Sequence, residues 1–462
     1  MSVAAVGVTV LVAAVVSHLI FTTLLSRKQG LSVPPGPPRR WLVGNLFDVP
    51  LVTPWFTYKA WCDKFGDMVY LDLPGKSVLI LGSIQAANAL LDCKSHIYSD
   101  RPKSVMVNLL SWEWTFSFMR YGSVWRSYRR SFHSHYNGAS VRSYRTIQLQ
   151  ESRMLLKRII NTPREARKHV RRYTGSIIIR VTYGAPTVSQ TNRYIALAES
   201  AVQSAREIAV PAAFMVESLP FLKYIPAWMP GGHTSRYVAK YKPIVQEMRN
   251  KPFDDVKAAA AAGRATSSVA YSLITEAQDE NLDLTPEQDA MMRNVTALAY
   301  AAAPDTTTSV IDSCMLAMAM FPETQKKVHA ELDLHVGPTR LPDFGDLEHL
   351  TYLKAVILEV LRWMVATPIG LPHALSEDDE HNRYHIPKGT VVVTNIWSVK
   401  LMNFFGFGEV EAGVDDLGSP VELTTDCGND AICSPATFPR SFKPRTQELE
   451  SLARDQTMAD EE

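Results

Sequence analysis

The sequence predicts a mainly α protein with small β portions and one N-terminal transmembrane helix. Three observations predict it: an apolar run at the start, long stretches of helical periodicity with few turn signals, and two short strand-like regions around Pro/Gly turns. With 462 residues, 46% hydrophobic and 21% charged, the chain can bury a large core and is neither disordered nor collagenous. Its formal net charge is +1, and no long basic stripe carries interleaved aromatics, which argues against nucleic-acid binding.

Over residues 3–25 only small or neutral polar residues and His18 interrupt the apolar side chains. That is about the twenty residues a helix needs to cross a bilayer core. No basic stretch precedes the run, and it is long for a cleaved leader, so it reads as an anchor. Arg27, Lys28, Arg39 and Arg40 follow it, and the positive-inside bias puts the rest of the chain in the cytosol. Pro34-Pro35-Gly36-Pro37-Pro38 cannot continue a helix. The expected division is an anchor at 1–25, a stiff proline-rich linker at 26–40, a catalytic body at 41–397 and an atypical tail at 398–462.

Within the body, residues 68–73 and 78–81 read as a β-hairpin about Pro74-Gly75-Lys76. Helical periodicity covers 83–92, 121–135, 151–160, 235–262 with a break at Pro252, 286–320, 322–334 and 352–364. A second strand pair is expected between Ile369 and Thr394, around Pro387-Lys388-Gly389. Residues 209–230 are apolar and aromatic without clear periodicity, so membrane-surface contact, a pocket roof and plain core packing all stay open. The five cysteines, Cys62, Cys93, Cys314, Cys427 and Cys433, contain no CxxC pair and suggest neither a disulfide framework nor a zinc site. Asn294-Val295-Thr296 matches the glycosylation sequon but falls in a segment expected to be buried.

Three constellations could carry chemistry. Glu359 and Arg362 lie three apart in an apolar helical run, so at least part of this charge pair should be buried. Asp305-Thr306-Thr307-Thr308-Ser309 follows Pro304, which lacks the N–H that would bond the carbonyl of Tyr300. A proton-delivery site beside an opened helix and an N-cap at Asp305 are equally good readings there. Trp125 and Arg129 share a helix face, where indole and guanidinium could grip one anion; a solvated basic face is the bland alternative.

The anchor with its proline-rich hinge, the WxxxR helix, the acid-threonine helix and the ExxR helix occur in that order. Together they make residues 1–397 resemble the microsomal cytochromes P-450, haem-thiolate monooxygenases, with fungal members looking nearest. The resemblance implies that Trp125, Arg129 and His373 bind haem propionates, and that Asp305 and Thr306 deliver protons to iron-bound dioxygen. It implies a structural role for Glu359 and Arg362. It also implies haem b as cofactor, an NADPH-dependent flavoprotein reductase as partner, an apolar small-molecule substrate, and the cytosolic face of the endoplasmic reticulum membrane. Ala303 stands where the family has glycine.

The thiolate that pushes electron density toward O–O cleavage is supplied in that family by FxxGxRxC. Here Phe405-Gly406-Phe407-Gly408-Glu409-Val410-Glu411-Ala412 puts Val410 at the arginine and Ala412 at the cysteine. Family character is expected to end at Trp397, with the native end replaced by an unspliced intron or frame change. Two alternatives to a working monooxygenase follow: a non-catalytic relative without thiolate, and a membrane-anchored binding protein for a lipid-like ligand in which the Asp305 cluster is only a cap.

Overall fold

The structure, a computed structural model, describes residues 32–41, 43–209, 213–279, 285–401, 432–435, 447–448, 451 and 454. The expected anchor at 3–25, the 405–412 stretch and Cys427 lie outside the described residues. No helix among the described residues is long and apolar enough to cross a membrane. The chain divides into two compact units: one from residues up to 125, 207–239 and 367–402, the other from 126–206, 240–366 and the described residues beyond 402.

In the first unit, helix α1 (Pro54–Phe65) precedes β1 (Met68–Leu73) and β2 (Lys76–Leu81). These strands pair antiparallel with Val69 opposite Ile80. Gly75, in the turn, sits at φ 72°, a conformation glycine adopts without a Cβ clash. The remaining strands are β3 (His373–Ala374), β4 (Asp379–His381), β5 (Tyr384–Ile386) and β6 (Val391–Thr394). Strand β6 lies parallel to β2 and β3 antiparallel to β6, giving the order β1-β2-β6-β3. Alternation along the strands buries both faces of this sheet. Tyr70, Leu79 and Leu81 join Leu90, Tyr98 and Ile386 on one side, while Val69, Leu71 and Ile80 join Tyr58 on the other.

Strands do form between Ile369 and Thr394, but β5 and β6, which flank the turn at 387–389, lie in different sheets, and β6 pairs instead with β3. A second hairpin, β4–β5, went unforeseen; its turn is Asn382-Arg383, both at positive φ, as a tight two-residue hairpin turn requires. The proline run, expected as a spacer, lies against the sheet. Pro35 O accepts from Tyr70 N at 2.9 Å, and Asn45 Nδ2 donates to Pro37 O at 3.1 Å. Gly36 is so close that a Cβ there would stand 2.2 Å from Tyr70 O.

The longer helices that follow are α2 (Ser123–Tyr136), α3 (Arg145–Asn161), α4 (Ala166–Tyr183), α5 (Val188–Ala209), α6 (His233–Ala261), α7 (Val269–Asp279), α8 (Pro286–Met320), α9 (Pro322–His335) and α10 (Thr351–Trp363). Helix α8 is the axis of the second unit: α4, α7, α9 and α10 pack on it, and α3 packs on α4. It starts at a capping box of Thr285 and Gln288, with Pro286 in the first turn where no amide bond is lost. Met292, Val295, Ala297, Tyr300 and Leu316 are buried around its circumference, as expected of a helix enclosed by others.

Two expectations about proline are corrected. Helix α8 runs unbroken through Pro304, and α6 through Pro243 and Pro252. Each proline deletes one backbone bond, whereas the packing of Val245, Met248 and Phe253 in α6 and of the buried residues of α8 holds the flanking turns. Asp305 therefore lies inside a helix and is not an N-cap. The sequon reading agrees with the structure: Asn294 is buried, accepts from Arg249 Nε at 2.7 Å and donates to Tyr128 at 3.0 Å. Cys433, which spacing left unpaired, is disulfide-bonded.

Candidate functional site

In the second unit Asp305 points from α8 toward α5, where Arg206 makes a close ion pair with its carboxylate. The two side chains are only 11% and 21% exposed, so each supplies the counter-charge the other needs. Thr306 turns its hydroxyl back on its own helix, donating to Ala302 O at 3.2 Å. One turn on, the Thr308 hydroxyl meets that of Thr174 on α4 at 2.9 Å. Between α4, α5 and α8 lies a cavity of about 20 Å³ lined by Arg171, Gly175, Glu199, Tyr300, Asp305 and Thr308, enough for one water. A Cβ on Gly175 would stand 2.9 Å from Ile195 Cγ1, so glycine is what lets α4 and α5 approach here. A carboxylate so placed can hold or pass a proton. Arg206 was missed in the sequence because it lies about a hundred residues from Asp305.

Trp125 Nε1 donates to Phe116 O at 2.9 Å, which uses the donor the sequence reading assigned to a propionate. Arg129, one turn along α2, is exposed. His373 in the first unit is different: its Nδ1 is buried with no hydrogen-bond partner. Burial and the nearby Arg101 guanidinium push its pKa down to about 4, against the backbone carbonyls of Tyr98 and Ser99, so the ring is neutral near pH 7. With Nδ1 unpartnered, the nitrogen facing those carbonyls is Nε2. A neutral ring protonated there presents Nδ1 as an acceptor, and it can donate to a carboxylate only after its tautomer changes or it takes a second proton.

Arg101, absent from the sequence reading, stands beside this histidine. Its Nη1 donates to Leu371 O at 3.0 Å and Pro372 O at 2.8 Å. Its neighbour Asp100 is buried, and burial alone would raise its pKa; hydrogen bonds from Arg120 and from the amides of Tyr121 and Arg101 outweigh that and lower it. The available signal was Asp100-Arg101-Pro102, adjacent charges ahead of a proline. Glu359 and Arg362 form a forked pair on α10, with Nε to Oε2 at 2.7 Å and both side chains under a quarter exposed. Partial burial is as expected.

The helical order, the Asp305–Thr306 segment in an enclosed central helix and the ExxR fork coincide with one family, and the cytochrome P450 profile matches residues 34–404. The chain belongs to the cytochrome P450 family. The cytochrome P450 monooxygenase COX2 of Coprinopsis cinerea is 38% identical over 82% of this chain and 72% of its own length. COX1 of the same fungus is 36% identical over 83% and 76%. A cytochrome P450 monooxygenase of Armillaria gallica is 32% identical over 96% of this chain and 98% of its own length. That last likeness spans 503 aligned positions, more than this chain's 462 residues, so the relative carries positions with no counterpart here. The family profile ends at 404, close to the expected end of family character at Trp397, while the Armillaria likeness takes in 96% of the chain.

By this membership the chain is a haem-dependent P450 monooxygenase, in a family that uses a reductase as redox partner and acts on hydrophobic substrates. The residues present fit the haem only in part. His373 Nδ1 is an orphaned buried atom of the kind a bound group would satisfy. Among the described residues no cysteine stands in the FxxGxRxC context of the family, and Cys427 lies outside them. Burial pushes the Cys62 thiol up to about 12 and the Cys314 thiol up to about 11. Cys93 is exposed and Cys433 is disulfide-bonded. Alanine occupies position 412.

Proposed function

We propose that this chain is built to insert one oxygen atom from dioxygen into an apolar small molecule, a secondary metabolite or xenobiotic such as a terpenoid, steroid or polycyclic aromatic. Electrons would come from NADPH through a flavoprotein reductase. Residues 3–25 would anchor the chain in the endoplasmic reticulum membrane, with membrane lipid about them and the body on the cytosolic side. The observation that carries this reading is the Asp305–Arg206 pair beside a water-sized cavity, inside a family whose members are monooxygenases. Asp305 holds or passes the proton, Arg206 fixes its carboxylate, and Glu359 with Arg362 braces the core.

A second reading is favoured by one specific observation, alanine at position 412 where the family has its haem cysteine. In it the chain as written is a family member that lacks thiolate ligation and does not turn over. The binding-protein reading loses its stated support, since Asp305 is not a cap. Product formation by the full chain with reductase, NADPH and a panel of apolar compounds decides between the first two. Oxygenated product supports the monooxygenase, and NADPH consumption no greater than with reductase alone supports the non-catalytic relative.

A further inference from the structure

Between Glu151 and Arg180, on α3, α4 and the turn joining them, nine arginines and lysines stand against two glutamates. Among the described residues, Arg180 pairs with Glu151 at 3.0 Å, Lys168 with Glu165 at 2.9 Å, Arg167 with Asp312 at 3.2 Å and Arg171 with Glu199 at 3.4 Å. Arg153 Nε, Arg158 Nη1 and Arg172 Nε are each buried without a hydrogen-bond partner, as is Oε2 of Glu151. Of these arginines, Arg158 and Arg172 also stand close enough for their charges to oppose each other. Burial first, and then the charge of Arg172, lower the pKa of Arg158, with Glu151 opposing them. A charged donor left buried and unmet is unfavourable, so this pair is poised for an anion.

One part of the chain already reaches the spot. Arg454 Nη1 donates to Asn161 Oδ1 at 2.9 Å, at the last residue of α3. Asn161 and Arg158 are three apart, so their side chains share a face and stand roughly 5–6 Å from each other. Asp455 comes next in the chain, and one residue spans about 3.8 Å. Beyond it lie Asp460, Glu461 and Glu462, with no basic residue among 455–462.

We propose that the chain's own acidic segment, residues 455–462, docks on the α3–α4 hairpin and supplies carboxylates to Arg158 and Arg172. Charge complementarity and the Arg454–Asn161 contact favour this occupant over a free anion.

The test uses the full chain with its tail neutralised by Asp455→Asn, Asp460→Asn, Glu461→Gln and Glu462→Gln. A fluorescent peptide of residues 455–462 is titrated against it at low salt and followed by anisotropy. The proposal expects saturable binding, at least tenfold weaker to the unmodified chain, whose own tail holds the site. Adding Arg158→Gln and Arg172→Gln to the neutralised chain should also weaken binding at least tenfold, whereas Arg164→Gln, an exposed charge on the same hairpin, should change it less than twofold. Where circular dichroism shows that the glutamine pair has lost helix, Arg158→Lys with Arg172→Lys replaces it; binding weaker than to the arginines supports the proposal, and unchanged binding overturns it. Absence of saturable binding, or equal binding to all the variants, overturns it. So does inorganic phosphate binding the unmodified chain as tightly as the neutralised one, since that would mark a site open to any small anion.

Discussion

His373 makes the acid stability of this protein predictable. Its imidazole falls from the usual 6.5 to about 4 in the folded chain, through burial first and the neighbouring Arg101 second. The unfolded chain therefore takes up a proton near pH 6.5 that the folded chain refuses until about pH 4. Stability from this residue is fully present above pH 6.5 and is lost as pH falls through that window. The full shift corresponds to roughly 3 kcal/mol. The ring is only partly buried, so solvent screening cuts the expected effect to about 1–2 kcal/mol. His373→Phe keeps an aromatic ring and removes the titration. It should lower stability somewhat at pH 7, because contact with the Tyr98 and Ser99 carbonyls is lost, yet flatten the decline between pH 6.5 and 4. Urea unfolding followed by tryptophan fluorescence at pH 7.0, 5.5 and 4.5 measures both terms. Parallel stability curves for the two proteins would refute a depressed histidine and, with it, the assignment of Nδ1 as an acceptor.

Three further expectations concern packing and the α8 acid. Arg206→Met leaves the Asp305 carboxylate without its counter-charge and should cost about 3–5 kcal/mol, with most of that recovered in Arg206→Met/Asp305→Leu; equal urea midpoints for the single and double variants would contradict the pairing. Gly175→Ala drives a methyl into Ile195 and should destabilise by about 1–3 kcal/mol, read as a fall in thermal midpoint. Gly36→Ala meets the Tyr70 carbonyl, a backbone atom that cannot turn aside. It should expose the proline run to limited proteolysis, and an unchanged digestion pattern would return that run to the role of a free spacer.

Much of this fold is legible in the sequence wherever the local signal and the packing agree. The β1–β2 hairpin shows because two strands flank a turn with glycine at positive φ, and α8 shows because apolar residues dominate thirty-five positions after a capping box. Helices α4, α5 and α7 were not foreseen. In α4 the arginines and lysines between Arg167 and Arg172 dilute the periodicity, and their partners Asp312 and Glu199 come from distant parts of the chain. Proline misled in the other direction, since Pro252 and Pro304 carry strong local signals that tertiary packing overrides.

The candidate site divides along the same line. Asp305, Thr306, Glu359 and Arg362 are found by local spacing, and α8 and α10 hold them as a helix must. Arg206, Arg101 and Asp100 matter through neighbours remote in sequence, which no window of residues reveals. Trp125 illustrates the limit of motif transfer: the residue and its helix are as expected, but its indole N–H bonds the Phe116 carbonyl. Resemblance places a side chain on an element, and the local acceptors decide what it touches.

The central claim is the monooxygenase activity proposed for this cytochrome P450 chain. The direct measurement is the absorption spectrum of the full chain, loaded with haem, reduced and exposed to carbon monoxide. The prediction is the strongly red-shifted Soret band that thiolate ligation gives, and serine variants of Cys62, Cys93, Cys314, Cys427 and Cys433 would then identify the sulfur responsible. A carbon monoxide complex without that band in stoichiometrically haem-loaded protein would contradict the claim and leave a family member without thiolate ligation.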